Sequence, residues 1–119
     1  MAGLLNPQYE QNRWILRGRL GLNRDGLALY GRWGRLACAR PFTVTIGSGE
    51  TDGTIANVTL YVSNSLDEPP PLSANPVQGA APLEKLISTA QTLTYDLPYE
   101  WIAVVIASGK RTMADLAAG

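Results

Sequence analysis

Period-two alternation constrains this chain more than any other feature of its sequence. In Phe42-Thr43-Val44-Thr45-Ile46 the large apolar residues take every second place and threonines fill the others, which suits a strand with one face in a core and one in water. Val58-Thr59-Leu60-Tyr61-Val62-Ser63 repeats the pattern, and Thr92 to Leu97 puts Leu93, Tyr95 and Leu97 on one face. Trp101 to Ala107 is apolar on both faces, the mark of a strand in the middle of a sandwich or of one covered by a partner. Turn-forming residues separate the segments: Gly47-Ser48-Gly49 with Asp52-Gly53, then Ser63-Asn64-Ser65, then Leu97-Pro98-Tyr99. The short link at Pro98 predicts that the last two strands form an antiparallel hairpin. The expected inward set is Val44, Ile46, Leu60, Val62, Leu93, Tyr95, Trp101, Ala103 and Val105.

The rest of the chain is less regular. Asp67 to Pro82 holds five prolines and reads as a loop, because proline has no N–H to give to a sheet interior. Leu83 to Ile87 fits either a strand or a helical turn. Trp14-Ile15-Leu16 and Leu27 to Tyr30 read as short strands in a region broken by Gly18, Gly21, Gly26, Gly31 and Gly34. Met1 to Asn12 reads as an extended arm, and Lys110 to Leu116 as a short helix with Met113 and Leu116 on one side. A chain of 119 residues supports one core. The expectation is an all-β protein, a small antiparallel β-sandwich or jelly-roll-like barrel. Residues 1–12 form its arm, 13–119 its single domain, and 67–82 a Pro-rich loop.

The sequence offers little for chemistry. It contains no histidine and one cysteine, which removes histidine-dependent catalysis and any Cys/His zinc site. Cys38, in Leu36-Ala37-Cys38-Ala39, reads as a small buried hydrophobe. Glu50 with Asp52, and Asp67 with Glu68, lie in turns where acids are ordinarily solvated; a catalytic carboxylate pair, which a chain this short has little room to set across a cleft, and calcium at the Glu50 to Asp52 loop are the alternatives they leave. Gly47 to Gly53 lacks the lysine of a phosphate loop. The expectation is no enzyme, no cofactor and no metal. No basic region followed by a long apolar run opens the sequence, so neither export by an ordinary signal peptide nor a membrane span is expected.

Charge gives a direction. The net charge is zero, unlike that of a general nucleic-acid binder. Yet residues 1–40 carry seven arginines against Glu10 and Asp25, a net +5, and the remainder is net −5. The arginines solvate one face, or they dock on an acidic partner, a task for which the guanidinium is better suited than the ammonium, or the basic half meets the acidic half in a self-complementary contact. The candidate partner-binding residues are Arg13, Arg17, Arg19, Tyr30, Arg32, Trp33 and Arg35. Trp33, framed by Arg32 and Gly34-Arg35, fits an interface anchor as well as a core residue.

From Gly53 to Gly109 the order of features resembles a family of small β-sandwich proteins in the virions of tailed bacteriophages. Its parts here are Ala56 to Ser63, the proline loop, Leu93 to Leu97, and Glu100-Trp101-Ile102-Ala103-Val104-Val105-Ile106-Ala107-Ser108-Gly109. Within that group the resemblance is greatest to capsid decoration, or cement, proteins, which brace neighbouring subunits of the assembled head. It implies a structural virion protein made in the host cytoplasm, with the major capsid protein or another virion protein as partner. It also implies a homo-oligomer on the particle, and no nucleic acid, membrane or small-molecule substrate. A tail, baseplate or fibre component, or a glycan- or receptor-binding module, is the alternative. The Pro-rich insertion has no counterpart in the family plan.

Overall fold

The alternating segments form strands, and the strands form two sheets packed face to face. The structure, a computed structural model, describes residues 5–10, 13–72 and 81–119. In chain order the strands are β1 (Asn6–Glu10), β2 (Arg13–Asn23), β3 (Leu29–Tyr30), β4 (Gly34–Arg35), β5 (Phe42–Ser48), β6 (Val58–Ser63), β7 (Ala81–Ile87), β8 (Gln91–Tyr95), β9 (Trp101–Ile106) and β10 (Thr112–Ala118). The first sheet runs β1-β2-β10-β5-β8 and the second β3-β9-β6-β7, with β4 also paired to β9. Every pairing is antiparallel. The all-β sandwich expected from the alternation is the fold. Phe42, Val44 and Ile46 of β5 meet Val58, Leu60 and Val62 of β6 and Ile102, Val104 and Ile106 of β9 in one buried cluster. Each such side chain contributes about 1.5–3 kcal/mol of transfer free energy.

Several expectations give way to the structure. The expected hairpin does not form: β8 pairs with β5, and β9 lies between β6 and the short β3 and β4. Side-chain chemistry decides this. The threonines of β8 meet threonines of β5, with Thr43 and Thr94 hydroxyls 3.1 Å apart, whereas β9 needs cover on both faces. Its even residues enter the sandwich core. Its odd ones, Trp101, Ala103 and half-buried Val105, face outward into a second cluster with Trp33, Tyr61 and Leu72. The chain covers that face itself. Trp33 Nε1 donates to the Pro70 carbonyl at 3.0 Å and Trp101 Nε1 to that of Ser65 at 2.9 Å, which pins the start of the Pro-rich segment onto the second sheet.

The expected C-terminal helix is β10, the centre of the first sheet. Its buried residues are Thr112, Ala114, Leu116 and Ala118, an alternation that alanine's helical propensity conceals. Residues 6–10 of the expected free arm are an edge strand, and Leu5 is buried against Gly34 and Leu20. The remainder of that arm, 1–4 with 11 and 12, lies outside the described residues, as do 73–80 of the loop. Pro82 belongs to β7 (Ala81–Ile87), opposite Tyr61, so the expected loop does not reach residue 82. Cys38 is exposed, because Ala37 and Cys38 take left-handed backbone angles (φ 50° and 59°) and turn away from the core.

Candidate functional site

β2 runs through eleven residues in spite of Gly18 and Gly21, and its pairing with β10 slips by one residue on the way. Arg19 stands opposite Asp115 and Gly21 opposite Ala114, which leaves Leu20 as a bulge residue. A bulge bends a strand and re-aims its side chains: Leu20 enters the core while Arg19 stays on the surface. Two glycines then bring β2 and the β3 segment together. A Cβ on Gly21 would lie 2.9 Å from Leu29 Cδ2, and one on Gly31 would lie 2.7 Å from the Leu20 carbonyl oxygen and 2.9 Å from that of Val104.

Between these segments opens a cleft of about 540 Å³ lined by Arg19, Arg24 and Arg32, by Tyr30, and by the leucines 20, 22 and 29. A second hollow of about 420 Å³ shares Tyr30, Gly31 and Arg32 with it and continues toward Glu68 and Pro71. Tyr30 is 40% exposed. Arg19 bonds Asp115 through Nε at 2.9 Å, with both side chains still nearly half exposed. Arg24 and Arg32 have no ion-pair partner among the described residues. The cleft therefore combines an apolar lining with two uncommitted guanidiniums and a third in an exposed pair, and no acidic residue lines it. Such a surface suits a carboxylate-bearing chain that also buries apolar area.

Of the residues expected from sequence, Arg19, Tyr30 and Arg32 meet here, joined by Arg24. Arg24 was missed as a site residue because it follows the strand in the bend Asn23-Arg24-Asp25-Gly26, where a charge ordinarily means a solvated turn. Arg17 is exposed beside Arg19, lining a shallow hollow with Gly18 and Asp115. Arg13 begins β2, its backbone in register with that of Glu10 on β1, and lies roughly 20 Å along the strand from Arg19 at ~3.3 Å per residue. Arg35 is on β4, its guanidinium 5.7 Å from the Trp101 ring centre and its Nε 3.6 Å from Glu100, a cation–π and ion-pair arrangement that caps the outer cluster. Trp33 is 1% exposed. It is not an exposed anchor: its indole fills the gap between β9 and the Pro70 loop.

The other groups singled out by sequence are taken up internally. Glu50 accepts the Arg111 backbone N–H at 2.8 Å and pairs with the same residue's guanidinium, which holds its carboxyl below the ordinary range. Asp52 accepts from the Thr54 hydroxyl and backbone N–H and lies near Lys110, and it too is lowered. With their oxygens so engaged, these acids do not converge on a cation site, and among the described residues no cluster of metal-ligating groups forms. The Cys38 thiol donates to Glu100 Oε1 at 3.3 Å, and this bond to the carboxylate pushes its pKa up, away from a reactive thiolate. No helix among the described residues is long and apolar enough to cross a membrane. No protein-family model matches the chain, and no curated protein or solved structure shows significant similarity to it.

Proposed function

We propose that this chain is a structural binding protein that docks through the arginine-lined cleft onto an acidic surface of a partner protein. The setting we propose is the one its strand pattern resembles, a capsid decoration protein bound to the assembled head of a tailed bacteriophage. The observation that carries the docking reading is the convergence of Arg19, Arg24 and Arg32 with Tyr30 on one apolar-lined cleft, two of the arginines having no ion-pair partner among the described residues. A solvated arginine face would not need an apolar lining or the close backbone approach that Gly21 and Gly31 permit. The virion setting rests on the sequence resemblance. The test is co-sedimentation with purified phage particles, with copy number determined by quantitative mass spectrometry. Arg24→Glu with Arg32→Glu is expected to reduce bound copies at least tenfold while the circular dichroism spectrum is kept. Absence from particles would remove the virion setting, and unchanged binding by the double variant would remove the cleft.

A second reading has one observation in its favour. Tyr9 and Trp14 stack edge to face across β1 and β2, ring centres 5.3 Å apart, and are 59% and 66% exposed. An exposed aromatic pair of this kind offers a platform for a sugar face. Glycan-array binding that is lost in Trp14→Ala would favour the glycan-binding module.

A further inference from the structure

The sandwich has several sheet edges, and they are not equally guarded. An edge strand presents unpaired N–H and C=O groups, and proteins blunt it with proline, charge or brevity. β1 contains Pro7 and Glu10. β7 contains Pro82, Glu84 and Lys85 and pairs with irregular register. β3 and β4 are two residues each. β8 has none of these devices. Gln91-Thr92-Leu93-Thr94-Tyr95 is free of charge and proline, pairs with β5 on one side, and on the other ends the first sheet among the described residues.

We infer that β8 is a self-association edge, on which β8 of a second copy pairs antiparallel across a twofold axis to continue the first sheet through both molecules. The side chains favour this occupant. In a twofold pairing centred on Leu93, Gln91 faces Tyr95 of the other copy and Thr92 faces Thr94. No like charges meet, and threonine pairs are among the favourable cross-strand neighbours. The pairing also extends a ladder already present: Thr94 lies 3.1 Å from Thr43 and Thr92 bonds Thr45 at 3.5 Å, all on the exposed face. A head-to-tail alternative would set β8 against β1. Those strands run in the same direction, four antiparallel steps apart, so the new pair would be parallel, would meet Pro7, and would not close. A five-residue edge buries far less than the roughly 1,200 Å² of a stable interface. Association is therefore weak in free solution and strong where copies are held side by side at high effective concentration. This inference is independent of the arginine cleft.

Sedimentation velocity across a concentration series tests it. The mass is expected to rise from 12.8 kDa toward twice that value, and amide exchange at residues 91–95 to slow with concentration. Thr92→Lys with Thr94→Lys places like charges opposite one another and should leave a monomer at every concentration. Thr92→Lys with Thr94→Glu places opposite charges across the axis and should restore the dimer. Both positions are exposed, so circular dichroism should be unchanged; if either variant fails to fold, wild-type amide exchange decides. A wild-type monomer throughout, concentration-independent exchange, or equal behaviour of the two variants overturns the inference.

Discussion

Trp33 shows how far a single residue's role depends on its neighbours. Its arginine-flanked context suits an exposed anchor, yet the indole is buried and hydrogen-bonded to the Pro70 carbonyl. Trp33→Ala should therefore destabilise the fold by about 3–5 kcal/mol through the cavity it leaves, and Trp33→Phe by about 1 kcal/mol through the lost hydrogen bond. Urea unfolding measures both, and a change below about 0.5 kcal/mol for the alanine variant, the range of ordinary surface substitutions, would return Trp33 to the surface. Glu50 makes a pH-dependent contribution of definite sign. Its carboxyl is lowered below 4.5 by the hydrogen bonds from Arg111, so the folded state binds that proton less readily than the unfolded chain. The stabilisation is complete above the ordinary value and is lost as pH falls through the lower folded-state value. The stability gap between wild type and Glu50→Gln should narrow as pH is taken below 4.5, and a gap that stays constant with pH would show that the ion pair contributes nothing.

Among the elements, those with large apolar residues at alternate positions were legible in the sequence: β5, β6 and the existence of β8 and β9 follow from Phe42, Val44, Leu60 and their neighbours. The partners of β8 and β9 were not, because short sequence separation favours a hairpin while the two-sided apolar surface of β9 demands a central place in the other sheet. β10 was hidden by its alanines, and β2 by glycines that serve a close approach instead of breaking the strand. The arginines of the candidate site were visible, but their convergence was not: it depends on the bulge at Leu20 and on Gly31, which only pairing reveals. Gly31→Ala tests this link. Its Cβ would meet the backbone carbonyls of Leu20 and Val104, which cannot move like a side-chain tip, so a loss of about 1–3 kcal/mol from overpacking is expected, together with weaker partner binding. Deleting residues 1–12 removes β1 and the buried Leu5. It should cost roughly 2 kcal/mol from the lost apolar burial alone, a cost that a free arm would not show in thermal unfolding.

At the scale of the whole molecule, the docking proposed above makes the charge asymmetry the term that governs how a partner is met. Arginine-bearing β2 and the β3 segment share one side of the sandwich, and the cleft there carries guanidiniums without acids. Charge of this kind, at the rim of an interface, chiefly accelerates encounter and is screened over about 8–10 Å at ordinary ionic strength. Apolar contacts made by Tyr30 and the leucine lining act at short range, where salt has little effect. Association with an acidic partner should therefore slow several-fold between low and high salt, while complexes already formed dissociate at nearly the same rate. Arg24→Glu with Arg32→Glu should reproduce the slow association at low salt, and Arg13→Glu, remote on the same strand, should not. Surface plasmon resonance on the immobilised partner proposed above, a capsid protein, over a salt series separates the two rates. If the association rate is independent of salt and of the double reversal, the arginines are a solvated face, and the contact must be made elsewhere, at the exposed Tyr9–Trp14 pair or along the segment that begins at Pro69.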